Sequence, residues 1–156
     1  MKSIITVFAI LLTFSCCTAG CNKDDETTPP HNTSGNNNPS ATKMKITIGT
    51  AVFTATLYDN PSAMAFRAML PLTIDMTELN SNEKYYDLPN NVPTNASVCG
   101  KIKVGDLMLY GNNTLVLFYE SFDTSYSYTK LGYVDDPAGL DAALGNGNVV
   151  VKFEIN

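Results

Sequence analysis

From residue 44 onward, apolar positions come in short alternating runs punctuated by Gly, Asn and Pro. Met44-Lys45-Ile46-Thr47-Ile48 alternates apolar and polar, the period of a half-buried strand. Gly49-Thr50 turns the chain and 51–58 alternates again, so the two runs predict a hairpin. Asn60-Pro61 is a helix start, because Asn caps well and Pro suits the first turn. The helix is expected over 61–70, with Met64, Phe66, Met69 and Leu70 turned largely to the core and Pro71 ending it. Leu72-Thr73-Ile74-Asp75-Met76-Thr77-Glu78-Leu79 then alternates without a break and predicts a strand.

Tyr85-Tyr86 fits a short strand before Pro89, and 87–98, rich in Asn and Pro, reads as loop. Gly105-Asp106 leads into a strand over 107–110, closed by Gly111-Asn112-Asn113. The run 115–119 is apolar throughout, as a strand buried on both faces should be. Residues 121–128 are polar and aromatic, and 130–134 form a short extended piece. Asp136-Pro137 is expected to open a second helix that Gly145 stops, with Asp135 and Asp136 favouring its N-terminus. The run 148–155 closes the chain as a strand. About eight strands and two short helices predict a mainly β fold, and closing the sheet into a barrel would remove its exposed edges.

The first 42 residues follow a different pattern. Lys2, the apolar stretch 4–12 and Thr18-Ala19-Gly20 have the layout of an export signal. The apolar stretch falls short of the ~20 residues that span a bilayer. Cys21 follows directly, and small-small-Cys after an apolar stretch resembles the lipobox of bacterial lipoproteins, whose cysteine is acylated. Thr18 departs from the Leu usual there, and Cys16 and Cys17 are alternative acceptors. Two or more acyl chains hold a protein stably, at about 0.8 kcal/mol per buried CH₂. Asn22-Lys23-Asp24-Asp25-Glu26 resembles the signal that carries some bacterial lipoproteins to the outer face of the outer membrane; its plainer reading is a solvated acidic linker. Residues 22–42 are polar and helix-breaking, a spacer too poor in apolar surface to fold. The expected organisation is a signal at 1–20, a lipidated Cys21 with its tether to residue 42, and one domain over 43–156. The expected address is the cell envelope, on the outer membrane and facing outward.

Composition narrows the chemistry. A net charge of −5 with no Lys/Arg cluster excludes a nucleic-acid surface. Cys99 is the one cysteine of the domain, so neither a disulfide framework nor a cysteine-based metal site can be built. It fits a small buried apolar residue better than a nucleophile. The single histidine, His31, lies in the tether, so no Ser-His-Asp or Cys-His arrangement is available to the domain.

Several stretches carry a family resemblance. Asn82-Glu83-Lys84-Tyr85-Tyr86-Asp87-Leu88-Pro89, Gly105-Asp106-Leu107-Met108-Leu109-Tyr110-Gly111, Leu115-Val116-Leu117-Phe118-Tyr119 and Ser127-Tyr128-Thr129-Lys130-Leu131-Gly132 resemble, in order, the bacterial cyclophilin-like domain family. Ala65-Phe66-Arg67-Ala68-Met69-Leu70 looks like the first helix of true cyclophilins. The resemblance implies a closed cyclophilin-type barrel of about eight strands. True cyclophilins isomerise X-Pro bonds with an arginine on the strand after the first helix. Here 72–79 holds none, the substrate-holding glutamine is missing before Gly105-Asp106, and Arg67 belongs to the helix motif. The implied function is a non-catalytic ligand- or peptide-binding module without a cofactor, with a degenerate peptidyl-prolyl isomerase as the alternative class.

Aromatic residues concentrate at 110–133. Tyr110, Phe122, Tyr126 and Tyr128 are the candidate ligand-binding residues, lining a groove for an extended peptide or a small apolar molecule. The plainer reading puts Tyr110 and Phe118 in the core and Tyr126 and Tyr128 over a sheet edge. Asp123, Asp135, Asp136 and Asp141 lack the spacing of a calcium loop. Glu78, Asp106 and Glu120 qualify as a carboxylate pair only by their presence. Gly145-Asn146-Gly147 is a turn, with no Lys-Ser/Thr behind it to make a phosphate loop.

Overall fold

The computed structural model describes residues 41–156; the export signal, Cys21, His31 and nearly all of the tether lie outside them. The strands are β1 (Thr42–Ile48), β2 (Ala51–Leu57), β3 (Leu72–Leu79), β4 (Glu83–Asp87), β5 (Ser97–Ile102), β6 (Asp106–Tyr110), β7 (Thr114–Phe118), β8 (Phe122–Val134) and β9 (Val149–Ile155). The helices are α1 (Pro61–Arg67) and α2 (Leu140–Leu144). Eight strands run β2-β1-β9-β3-β4-β7-β6-β8, and β8 returns to β2, closing an antiparallel barrel. β5 lies outside the ring, paired to β8 alone.

Closure rests on a short ladder. Ala55, Thr56 and Leu57 face Val134, Tyr133 and Gly132. Gly132 is required there: a Cβ on it would strike the Thr56 carbonyl oxygen and come within 3.1 Å of the Leu57 Cα. Polar groups clasp the same seam. Lys43 Nζ donates to Thr56 Oγ1 at 2.7 Å and to Asp135 Oδ2 at 2.8 Å, and Thr56 Oγ1 donates to Asp135 Oδ1. Burial would raise the Asp135 carboxyl, but the hydrogen bonds from Lys43 and Thr56 outweigh it and hold the group below its ordinary range. Asp135 thus joins strands rather than favouring the N-terminus of the second helix, which begins at Leu140, three residues later than expected, because Asp136 turns onto Ala138 N.

The barrel interior follows the alternation. Met44, Ile46 and Ile48 of β1, Ile74 and Met76 of β3, Leu115 and Leu117 of β7 and Val151 and Phe153 of β9 share one buried cluster. The short helices add Ala63, Phe66, Leu140 and Leu144 to it. Asn60 caps α1 as expected, its Oδ1 accepting from Ala63 N at 2.8 Å. The helix ends at Arg67, three residues early, so Met69 and Leu70 pack from the following turn. Met64 is 61% exposed, against the expectation of a core position, and Ala63 and Ser62 take the inward face instead.

A second buried cluster lies on the other side of the sheet. Val116 and Phe118 point away from Leu115 and Leu117, so β7 is covered on both faces, as its unbroken apolar run predicts. The cover is a two-stranded ribbon of β5 and the first half of β8. β8 can serve both structures because its register against β6 skips Leu131 between Gly132 and Lys130, a bulge that bends the strand. Residues 97 and 98, placed in a loop by composition, begin β5, and 121–128 are mostly strand. Ile102, Met108 and Tyr128 complete the second cluster, with Tyr85, Cys99 and Phe122 against it. Cys99 is therefore half-buried rather than fully buried, its Sγ 3.7 Å from Met108 Sδ.

Gly132→Ala is expected to destabilise the protein by about 1–3 kcal/mol, the range for forcing a methyl into filled space. Urea unfolding of the purified protein measures it. A substitution as mild as one on an open glycine such as Gly147, which has nothing within 4 Å, would show that the seam is not so close.

Candidate functional site

A cleft of about 430 Å³ opens between the outer face of the sheet and the ribbon. That volume is in the range of small-molecule sites. Its floor follows from alternation on β4. Glu83, Tyr85 and Asp87 point outward, opposite Phe118, Val116 and Thr114 of β7, while Lys84 and Tyr86 point the other way. Tyr110, opposite Thr114, extends the floor across β6. The ribbon supplies Phe122, Tyr126 and Tyr128, and the β3–β4 turn supplies Asn80 and Asn82. All four candidate aromatics therefore line one cleft.

Their environments differ. Tyr128 is 6% exposed, seated edge-on to Phe118 with ring centroids 5.5 Å apart. Tyr110 and Tyr126 are 47% and 62% exposed and meet edge-to-face at 6.3 Å, and Tyr110 also lies 5.6 Å from Tyr128. Tyr110 is thus not core, Phe118 is, and Tyr128 is buried rather than covering an edge. Burial, reinforced by the nearby Glu83 carboxylate, pushes the Tyr128 hydroxyl up to about 12. It stays a neutral phenol.

Glu83 was missed as a site residue, although it sits in a stretch that carries the family resemblance. It is 8% exposed, and among the described residues no side chain forms a hydrogen bond or ion pair with its carboxylate. Burial, then repulsion from Glu78, raises its affinity for a proton. The neighbouring Asn82 Oδ1 is buried with no hydrogen-bond partner. The available signal was the alternation itself, which places Glu83 on the same face as Tyr85 and Asp87 while Lys84 faces away.

Lys84 braces the end of the cleft from the inside. It is fully buried, and its ammonium donates to the Glu78 carboxylate and, at 2.7 Å each, to the carbonyls of Gly145 and Gly147. The three N–H bonds of an ammonium are thereby used, and the Tyr119 ring lies 5.1 Å from Nζ. Gly145-Asn146-Gly147 is a lysine-binding turn. Glu78 also accepts from Tyr119 Oη at 2.8 Å and from Ser81 N at 2.8 Å. Ser81 and Asn80 both hold positive φ, at 57° and 56°, the tight hairpin geometry that non-glycine residues seldom adopt. Glu78 thus fixes the turn that brings Asn82 and Glu83 to the cleft.

The remaining candidates do not converge. Asp106 accepts from Lys103 N in the turn before β6, and Glu120 lines a separate depression with Tyr119 and Asp141. Among the described residues no three His, Cys, Asp or Glu side chains are grouped as metal ligands. Arg67 lies on α1 against Thr42 Oγ1 at 3.2 Å and is absent from the cleft lining.

The Cyclophilin-like family matches residues 46–154, and with its closed barrel the chain belongs to that family. No curated protein and no solved structure matches it.

Burial would raise the Glu78 carboxyl, but hydrogen bonds from Lys84 and Tyr119 prevail and hold it below its usual 4.5. A lowered folded value adds stability above the unfolded value that is lost as pH falls through the folded one. Lys84→Met should destabilise the protein at neutral pH by about 3 kcal/mol, because it strands a carboxylate and two carbonyls. The acid-side loss of stability should also shrink in the variant. Denaturant midpoints taken between pH 7 and pH 3 check both; parallel pH curves would exclude the pair as a source of stability.

Proposed function

We propose that the protein is a lipid-anchored envelope module whose barrel holds out an aromatic cleft to bind a ligand without turning it over. The observation that carries the binding reading is the convergence of Tyr110, Phe122, Tyr126 and Tyr128 on one cleft, two of them well exposed at its mouth. Exposed rings on a rigid sheet supply contact area at little entropic cost, and the clustered apolar surface marks a place that something covers.

Turnover would call for a cationic donor, and the cleft lining holds none. Rotation about a peptide bond faces a barrier of ~18–20 kcal/mol, and lowering it takes preorganised donors at the amide. The residues lining the cleft include no cationic donor, neither Arg, Lys nor His; their charged members are Glu83 and Asp87, and their donors are neutral tyrosine hydroxyls and asparagine amides. Carboxylates do not stabilise a twisted amide's carbonyl. The protein should therefore leave the cis–trans relaxation of an Ala-Pro tetrapeptide at its uncatalysed rate. Acceleration that disappears with Glu83→Gln or Tyr128→Phe would instead establish the isomerase. For binding, indole should shift the tyrosine-ring NMR signals of the protein, and Tyr126→Ala should weaken that binding by roughly tenfold, the scale of one aromatic contact.

Lipid anchoring rests on the sequence around Cys21: an apolar stretch, small residues, then the cysteine. A polar spacer of about 20 residues would hold the domain off the bilayer at coil dimensions. Cells given an alkynyl fatty acid should label the protein, and Cys21→Ala should abolish labelling and release it from the membrane fraction. Persistent labelling of that variant would move the acyl group to Cys16 or Cys17.

A further inference from the structure

We infer that the cleft selects an organic cation, an alkylammonium group that sits against the Glu83 carboxylate with its carbon body among Tyr85, Tyr110, Tyr126 and Tyr128. The inference rests on the binding reading above and gives the ligand its chemistry.

Four observations point the same way. The charged side chains of the lining are two acids, Glu83 and Asp87, with no Lys, Arg or His among the other lining residues. Asp87 already accepts from Thr114 Oγ1 at 2.7 Å, whereas Glu83 has no side-chain partner among the described residues. Glu83 is 8% exposed as a residue, so its carboxylate keeps only part of its water, and a cation or a strong donor offsets that loss. Burial and the Glu78 charge raise the proton affinity of Glu83, the same cost expressed as a preference for the neutral acid. Asn82 Oδ1, in the same lining, is a second acceptor left without a donor. An ammonium brings three N–H donors to the Glu83 carboxylate.

The aromatic walls complete the match. Tyrosine faces are negative, and a cation near one is favoured by about 0.5–2 kcal/mol, more as water is excluded. Elsewhere in the protein the same chemistry is satisfied internally: the Lys84 ammonium sits among the Glu78 carboxylate, two carbonyls and the Tyr119 ring. On the outward face of β4 one residue earlier, carboxylate, carbonyl-type oxygen and aromatic rings are gathered with no cation supplied. An anionic ligand would meet two carboxylates, and a purely apolar one would leave Glu83 unpartnered.

Titration of the full protein by NMR with butylammonium, butanol and butyrate, similar in size and differing in charge, tests the assignment. Butylammonium should bind at least tenfold more tightly than butanol, with butyrate weakest. Glu83→Gln should reduce that preference roughly 10- to 100-fold, the scale of a lost charged hydrogen bond, with a urea midpoint at or above that of the parent because a half-solvated charge is removed. Asp87→Asn, at the rim, should reduce it less. Ac-Gly-Lys-Gly-NH₂ separates the sources: binding as tight as butylammonium assigns the site to a peptide lysine, weaker binding to a free amine. Equal affinity for butylammonium and butanol, or a preference untouched by Glu83→Gln, overturns the cation while indole binding still stands. Failure of every probe, indole included, overturns the cleft as a site altogether.

Discussion

An antiparallel sheet of eight strands has two raw edges until its first and last members meet, and here they meet over three residue pairs. So short a ladder holds only because the backbones come close. The missing side chain at Gly132 allows that approach, and Tyr58 N donates a further bond to the Leu131 carbonyl at 2.9 Å. The Lys43–Thr56–Asp135 clasp lies partly in solvent and adds little by itself, but it fixes the register of β1 and β2 against the end of β8. The apolar cluster within the ring, from Met44 to Phe153, is buried behind that seam.

Past the seam, β8 changes allegiance. Its residues from Thr129 onward are a stave of the barrel, bent at Leu131, and from Phe122 to Tyr128 the same strand becomes the roof of a second, smaller core. The cleft exists because the roof and the floor belong to different layers that touch through Phe118, Phe122 and Tyr128. β4 joins the two polar centres of the molecule. Lys84 turns inward and meets its carboxylate; Glu83 turns outward and meets none.

These barrel strands were legible because one face of each is apolar and the other polar, and period-two alternation over 44–48, 51–58 and 72–79 states that directly. The doubly buried β7 was legible from its unbroken apolar run. The ribbon was not. β5 carries Ser, Gly and Lys, with only Ile102 fully buried, so nothing in its pattern separates it from loop. The first half of β8 reads as polar because its partner is a single exposed strand. The aromatic cluster was visible as a local excess of rings, and four of them do share one cleft. Glu83 was not, since a lone acid in a strand is ordinarily solvated, and only the layer laid over it by the ribbon makes it unusual. Helix limits shifted for a similar reason: Asp135 and Pro137 carry helix-start chemistry that tertiary partners put to other uses.

The two buried clusters share no residue. The interior that keeps the barrel folded and the layer that shapes the cleft can therefore be rewritten independently. Replacing side chains of β5 and residues 122–128 alters what the roof presents without touching a single contact inside the ring. A scaffold divided this way can change its guest while its interior residues are kept, and Tyr128, just ahead of the Thr129 and Lys130 pairs with β6, is the natural junction for a foreign ribbon.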